Sequence, residues 1–180
     1  PTVAECDQMI QLCEQAGVSL GVVKTERFRT ITRKAKAIID EGALGPIRMM
    51  RTLSAFPISL TRDVFAERQW MYDPNSGGLF MGMASHNTDF LRWLCGKNVV
   101  RVFAQVNTFS DIDSPAQSVM AQLQFEDGIM AQMWTTSELP DPSIPDSEVR
   151  FEVVGRDAIL DFENFNFLRM GKGDSWKDIF

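Results

Sequence analysis

The chain has 180 residues, of which 44% are hydrophobic, and its 18 Lys and Arg against 24 Asp and Glu give a formal net charge of −6 at pH 7. This length and composition are typical of a globular domain with a core of its own. The negative net charge argues against nucleic-acid partners, because affinity for phosphate backbones depends on clustered cations. No run of about 18 apolar residues predicts a membrane span, so membrane partners are not expected either.

The chain has three cysteines, Cys6, Cys13 and Cys95. Their odd number and the absence of a C-x-x-C pair predict neither a disulfide framework nor a structural zinc site. The first residues of the chain have neither the basic flank nor the apolar centre of a secretion signal. Together these features favour a protein of the reducing cytoplasm.

The start of the sequence predicts a helix followed by a strand. Thr2 and Glu5 form a capping-box pattern that begins a helix over residues 3–16, and Gly17 is placed to end it. The short apolar run over residues 18–23, bounded by glycine and by charge, predicts a strand buried on both faces of a parallel sheet.

A second helix and a further strand are predicted before the middle of the chain. The helix ends at about Glu41, where Gly42 is a stop signal, and the strand covers residues 47–55. The pattern over residues 57–76 is irregular and predicts a loop, which contains Trp70.

Beyond Gly96 apolar residues alternate with polar ones, which is the period of half-buried strands. Strands are predicted over residues 100–107, 118–125, 129–136, 148–154 and 158–162. One face of this sheet is predicted to pack on the helices, and the other carries Gln, Ser, Thr, Met and Trp134. We interpret the second face as an oligomer interface, with a merely solvated face as the alternative. The predicted fold class is α+β, with an open, mostly antiparallel mixed sheet backed by helices on one face.

The only histidine of the chain lies in a glycine-bounded helix predicted over residues 77–96. On a helical wheel six positions of this helix fall in one narrow arc, namely Arg92, Ser85, Asp89, Gly82, Trp93 and His86. Nearly every other position is apolar, and a helix that is apolar almost all round is buried. The polar strip is therefore predicted to face a cleft and to form an active-site wall. The alternative is that His86 and Asp89 are merely a hydrogen-bonded polar pair.

Other chemistries fit this helix less well. Ser85 and His86 occupy adjacent positions and point about 100° apart, so Ser85 is not placed to act as a nucleophile beside the ring. A metal centre would need distant carboxylates to join His86 and Asp89, and a single histidine without a ligand-spaced partner predicts no metal site.

The order of these motifs resembles one protein family. An R-F pair opens the second helix, residues 41–47 read E-G-A-L-G-P-I, residues 77–96 hold G-G followed by H-x-x-D-x-x-R-W-L-x-G, and V-x-G lies near the end of the sheet. Over roughly residues 1–162 the chain resembles the glucose-fructose oxidoreductase, inositol dehydrogenase and rhizopine-catabolism (Gfo/Idh/MocA) oxidoreductases. The resemblance implies a Rossmann domain that binds NAD or NADP, followed by a domain whose open sheet shapes the substrate site and the oligomer.

The resemblance also implies a division of the chain. Residues 1–25 are expected to be the last helix–strand unit of a Rossmann domain, and residues 26–180 a substrate-binding and oligomerisation domain that is truncated at its C-terminus. The G-x-G-x-x-G turn that holds a dinucleotide pyrophosphate is absent from the sequence, so the isolated chain is expected to be inactive. The family has a proton-transferring lysine that would lie upstream of this chain or at Pro1, and an aspartate where this chain has Gly82.

Five residues receive roles by the same resemblance. His86 matches the histidine that exchanges a proton with the reacting hydroxyl or carbonyl, a task that suits imidazole because it titrates near neutrality. Asp89 matches a position that holds substrate hydroxyls or the histidine. Arg27, with Lys24, is expected to attract an anionic substrate or a cofactor phosphate, with solvated helix-start cations as the alternative. Trp70 is expected to close the pocket, the alternative being an aromatic ring anchored in the core.

The sequence therefore predicts the substrate-side domain of an NAD(P)-dependent oxidoreductase. The expected reaction is hydride transfer between nicotinamide and a hydroxyl-bearing carbon of a sugar, polyol or related small molecule, in a cytoplasmic homo-oligomer. The alternative is a non-catalytic relative that lost the acid at Gly82 and serves small-molecule binding or assembly.

Overall fold

Eight strands form one open mixed sheet in the computed structural model, which describes residues 2–68 and 78–180. The strands are β1 (Ile47–Pro57), β2 (Val99–Asn107), β3 (Ser118–Phe125), β4 (Met130–Leu139), β5 (Arg150–Gly155), β6 (Ile159–Glu163), β7 (Phe167–Lys172) and β8 (Ser175–Asp178). Their order in the sheet is β2-β3-β4-β1-β5-β6-β7-β8. β1 runs parallel to β4, and every other neighbouring pair is antiparallel. The predicted α+β class with an open, mostly antiparallel sheet is confirmed.

Four α-helices accompany the sheet in the described residues. They are α1 (Val3–Ala16), α2 (Thr30–Asp40), α3 (Ile58–Glu67) and α4 (Gly78–Cys95), and a 3₁₀ turn over Thr25–Phe28 precedes α2. The capping box of Thr2 and Glu5 forms as predicted, and Gly17 ends α1 with a φ of 66°. None of the helices in the described ranges is both long enough and apolar enough to cross a membrane.

Three segments differ from the sequence prediction. The strand predicted over residues 18–23 is wrong, since no strand of the described chain lies beside this segment to pair with it. α3 occupies part of the predicted loop, where the buried Thr61 hydroxyl donates to the carbonyl of Ser137 at 2.7 Å. This tertiary contact leaves no local pattern in the sequence. β7 and β8 extend the sheet beyond the last predicted strand.

The core lies between the sheet and the helices α2 and α4. Phe90 of α4 is 1% exposed, and its ring centroid lies 4.4 Å from that of Phe151 on β5 and 6.1 Å from that of Phe162 on β6. Ile31 and Ala35 join α2 to the same cluster. Burying a large apolar side chain contributes about 1.5–3 kcal/mol, so this cluster fixes where α4 crosses the sheet.

The middle strands alternate between the two faces as predicted. On β3, Leu123 and Phe125 are buried on the helix side, whereas Met120, Gln122 and Gln124 on the opposite side are exposed. The opposite side of the sheet is called the open face below. Because the side chains of a strand alternate strictly, the two faces have separate chemistries.

The edge strand β2 does not have one buried and one exposed face. Residues 100–107 are exposed on both faces, with Val102 on the helix side at 59% and Phe103 on the open face at 64%. β2 also lies at one end of the sheet, so its outer edge has no partner strand within the described part of the chain.

The N-terminal segment has no core contacts of its own. α1 contains no buried residue, although it carries apolar side chains such as Ile10 and Leu12. In the stretch that follows, Val22 and Val23 are 76% and 72% exposed. Helices normally bury their apolar side chains against another element, and in the described structure this segment does not.

Gly155, the glycine of the V-x-G motif, lies against the turn that precedes β1. A Cβ at this position would lie 2.1 Å from the carbonyl oxygen of Leu44 and 2.7 Å from its Cβ. We expect Gly155→Ala to lower the free energy of unfolding by about 2–3 kcal/mol, because a backbone contact has to move apart. Urea unfolding measures this change. Gly21→Ala is the matched control, since a Cβ there meets nothing within 4 Å, and equal stability of both variants would contradict the packing described.

Candidate active site

α4 carries the single histidine and the polar strip predicted for it. Phe90, Leu91 and Leu94 are at most 1% exposed and belong to the core cluster. His86 and Asp89 are only half-buried, so they lie away from the most deeply packed side of the helix. The core contacts on one side of α4 thus set the direction of the polar residues on the other.

Asn87, next to His86, fastens α4 to the sheet by hydrogen bonds. Its side chain is 1% exposed, and its amide nitrogen donates to the hydroxyl of Ser54 on β1 at 3.0 Å and to that of Thr135 on β4 at 3.3 Å. A buried amide is costly unless it is paired, so these bonds resist rotation of the helix. The sequence analysis did not single out Asn87. The available signal was a polar residue on the buried side of an apolar helix.

His86 is half-buried, and its Nδ1 atom is buried with no hydrogen-bond partner among residues 2–68 and 78–180. Buried polar atoms are usually paired, and an unpaired one indicates strain, a chemical role or a partner from outside. The described residues include no carboxylate in ion-pair contact with this ring. Asp89, predicted to hold either the histidine or a substrate, is engaged elsewhere.

Arg27 and Asp89, both predicted site residues, are joined to each other. The guanidinium donates from Nε to Asp89 Oδ2 at 2.8 Å and from Nη2 to Oδ1 at 2.6 Å. The same guanidinium lies 5.6 Å from the ring centroid of Trp93 on α4. A bidentate pair of this kind uses both carboxylate oxygens, so the pair ties the 3₁₀ turn to α4. A direct contact of either residue with a substrate remains a prediction.

Lys24 lies beside the same helix. Its Nζ donates to the backbone carbonyl of Ser85 at 3.3 Å, and it forms no ion pair with a carboxylate of the described chain. The structure therefore brings Lys24, Arg27 and Asp89 together along the strip that carries His86. Trp70, the remaining predicted site residue, lies outside the described residues.

Gly82 interrupts the side chains of this strip one helical turn before His86. Among the described residues a Cβ at Gly82 would meet nothing within 4 Å, and the Ser85 hydroxyl donates to the Gly82 carbonyl at 2.9 Å. No acid stands at this place in the helix.

The open face carries most of the exposed large side chains of the central strands. Met49, Met120, Met130 and Trp134 are between 36% and 53% exposed. A groove of about 900 Å³ crosses part of this face. A group of exposed large apolar side chains on one face often marks an interaction site.

Glu138 lies at one end of the open face, on β4. Its carboxylate accepts hydrogen bonds from the backbone N–H groups of Phe109 at 2.8 Å and Ser110 at 2.6 Å, and from the hydroxyl of Ser118 at 2.6 Å. Burial acts to raise the pKa of Glu138, but these hydrogen bonds outweigh burial and lower the pKa below its usual value. The ionised carboxylate therefore anchors the loop after β2 at neutral pH.

An open mixed sheet with a histidine-bearing helix across one face defines a two-layer α+β domain. The chain belongs to the Gfo/Idh/MocA family, since the family model of the GFO/IDH/MocA C-terminal domain matches residues 32–161. The resemblance stated from the sequence motifs is thereby confirmed.

Similar proteins include the uncharacterized oxidoreductase YrbE of Bacillus subtilis, 30% identical over 132 residues, and the myo-inositol 2-dehydrogenase of Thermotoga maritima, 26% identical over 132 residues. Each match covers 71% of this chain but only 36% and 37% of the relatives. An inositol dehydrogenase homologue from Azotobacter vinelandii, solved in complex with NAD+, has a TM-score of 0.84 at 19% identity, over 99% of this chain and 48% of that one. The chain thus spans less than half the length of each of these proteins, and the structural likeness shows a common fold.

Proposed function

We propose that this chain is the substrate-side domain of an NAD(P)-dependent dehydrogenase. The complete enzyme transfers hydride between nicotinamide and a hydroxyl-bearing carbon of a sugar, polyol or related small molecule. The observation that carries the proposal is His86, the only histidine, whose buried Nδ1 has no partner among the described residues. The dehydrogenases among its relatives support the same class of reaction.

His86 is proposed to move the proton of the reaction. A hydroxyl that is oxidised to a carbonyl must lose its proton, and a neutral imidazole nitrogen accepts one readily near neutral pH. A well-placed acid or base of this kind contributes about 10²- to 10⁴-fold in rate. Asn87 positions the ring through its bonds to Ser54 and Thr135, and the Arg27–Asp89 pair keeps the 3₁₀ turn against the same helix.

Residues 1–25 are proposed to be the last helix–strand unit of a dinucleotide-binding domain, with residues 26–180 as the substrate-binding and oligomerisation domain. The exposed apolar side chains of α1 and of Val22 and Val23 support this division. Such a segment gains its stability from an apolar partner surface. The rest of a cofactor domain would supply that surface.

The residues of this chain do not fit the pyrophosphate of a dinucleotide. The sequence has no G-x-G-x-x-G turn, and the N-terminus of α1 is taken by the Glu5 carboxylate, which accepts from the backbone N–H of Thr2 at 2.7 Å. A negative charge at this helix end disfavours a phosphate. We therefore assign NAD or NADP to the part of the protein outside these residues.

The open face is proposed as the surface through which the protein forms a homo-oligomer. Its exposed methionines and Trp134 support this role, because interface cores are enriched in such side chains. Light scattering combined with gel filtration tests it, with Met130→Glu expected to shift an oligomer towards monomer. A wild-type protein that stays monomeric at high concentration would rule the interface out.

A non-catalytic role is the second candidate, because Gly82 offers no acid and Asp89 is taken by Arg27. The two candidates are separated by an assay of the complete protein. We expect it to bind NAD or NADP in a fluorescence titration and to reduce it in the presence of inositols or sugars. Cofactor binding without turnover of any polyol, or no cofactor binding at all, would favour the binding or assembly role.

A further inference from the structure

The 3₁₀ turn over Thr25–Phe28 lies at the boundary between the two proposed domains, and two successive side chains fasten it to different parts of the chain. Arg27 bonds to Asp89 of α4. Glu26 bonds to Asn164, in the turn between β6 and β7, whose amide nitrogen donates to Glu26 Oε2 at 2.7 Å. The 3₁₀ turn therefore connects α4 to the sheet.

The bond between Glu26 and Asn164 is mostly shielded from water. Asn164 is 3% exposed, and the side chain of Glu26 is 15% exposed. Arg29 Nε donates to the same Oε2 atom at 2.7 Å, and its guanidinium lies 4.0 Å from the ring centroid of Phe165. Hydrogen bonds to an ionised carboxylate are stronger than neutral ones, and burial strengthens them further. We call the contact made by Glu26, Arg29 and Asn164 the clamp.

The residues before the 3₁₀ turn are held much less firmly. Val23 is 72% exposed, and α1 contains no buried residue. Lys24 adds a single bond, from Nζ to the backbone carbonyl of Ser85 at 3.3 Å. Within the described part of the chain, the clamp and the ion pair to α4 are therefore the strongest contacts that set the direction in which residues 1–25 leave the sheet.

We propose that the clamp fixes the angle between the cofactor domain and the sheet, which makes Glu26 and Asn164 positioning residues for hydride transfer. The inference rests on the function and the domain division proposed above. Two reacting groups held by different domains must meet within about 3–3.5 Å, and a misplacement of about 1 Å costs on the order of 10²-fold in rate. A joint fastened to α4 alone would be free to rotate, so the clamp contributes to the rate without touching either ligand.

The first test is kinetic and makes the same substitution at two asparagines of one turn. Asn164→Asp sets a second carboxylate against Glu26, so we expect kcat of the complete enzyme to fall about 10- to 100-fold, while KM for NAD+ changes by less than about twofold. Asn166→Asp is the control. The Asn166 amide also donates to a carboxylate, that of Asp146 at 2.9 Å, but this bond lies outside the clamp, and kcat is expected to stay within about twofold of the wild type.

Exchanging the two partners of the clamp is expected to restore the rate. When Glu26→Gln is added to Asn164→Asp, the glutamine amide donates to the new carboxylate, which stays next to Arg29. We expect kcat to return to within about threefold of the wild type. Glu26→Ala removes the clamp from its more exposed side and is expected to lower kcat as Asn164→Asp does, so the test does not depend on the folding of one variant.

The second test measures the joint without catalysis. Spin labels are attached at Glu14→Cys on α1 and at Asp174→Cys between β7 and β8, both exposed positions, in the complete protein with its other cysteines replaced by serine. Double electron–electron resonance then gives the distribution of the distance between the labels. We expect a narrow distribution in this labelled parent, a broader one after Asn164→Asp, and a narrow one again in the exchanged pair.

The proposal is overturned if Asn164→Asp leaves kcat or the width of the distance distribution unchanged, or if Asn166→Asp lowers kcat as much. It is also overturned if the exchanged pair restores neither quantity. A complete protein that transfers no hydride would contradict the proposed function instead, and the distance measurement alone would then decide whether the clamp holds the joint.

Discussion

Replacing His86 by Gln is expected to lower kcat of the complete enzyme by about 10²- to 10⁴-fold, the contribution of one acid–base group. Glutamine retains a polar side chain of similar reach but does not exchange a proton near neutral pH. The structural reason for the expected effect is the buried Nδ1, which has no partner among the residues that the structure describes, on a helix held in place by Asn87. Steady-state kinetics with the best substrate of the cofactor-reduction assay measures it.

The pH profile distinguishes proton transfer from a loss of packing. If His86 carries the proton of the reaction, one limb of the pH profile of kcat/KM is lost in His86→Gln. Thr88→Ala on the same helix is the control and is expected to change kcat by no more than about twofold. If His86→Gln keeps the wild-type rate and profile, His86 is not the proton carrier.

Truncating Phe90 is expected to cause the largest loss of stability. Phe90 is 1% exposed and packs on Phe151 and Phe162 of the sheet and on Trp93 of its own helix. Phe90→Ala leaves a cavity between α4 and the sheet, so we expect the free energy of unfolding to fall by about 3–5 kcal/mol. Urea unfolding followed by tryptophan fluorescence measures the change.

Phe109→Ala is the matched control for this experiment. It removes the same ring from a side chain that is 75% exposed, so we expect a change of less than about 0.5 kcal/mol at a protein concentration low enough to avoid self-association. A loss of less than about 1 kcal/mol in Phe90→Ala would mean that α4 is not held by this aromatic cluster.

The sequence predicted the elements whose signals are local. The capping box of Thr2 and Glu5, the stop at Gly17 and the alternation along β3 each depend on residues a few positions apart, and each is present in the structure. The strand predicted over residues 18–23 is absent from the structure because a strand does not depend on local signals alone. A strand is completed by a neighbouring strand, and the described chain does not provide one.

The helix that carries the candidate site residues was predicted from the sequence, but the contacts that these residues make were not. The helical wheel placed His86 and Asp89 on one side of a buried helix, and both are indeed half-buried on α4. The bond between Arg27 and Asp89 joins residues 62 positions apart, and no periodicity reports a contact of that separation. The same applies to Asn87, whose partners Ser54 and Thr135 lie on two different strands.

The exposed edge strand β2 has a consequence for handling the protein. Val100, Val102, Phe103 and Val106 are exposed, and Arg101 is the only charged residue of the strand. Within the described part of the chain, the outer row of its backbone donors and acceptors has no partner strand. Strands of this kind recruit copies of themselves into growing fibrils unless something shields them. We therefore expect preparations in which β2 is uncovered to be prone to cross-β aggregation, and we expect Val102→Lys to reduce this aggregation, because a charged side chain on an edge strand opposes pairing with another copy.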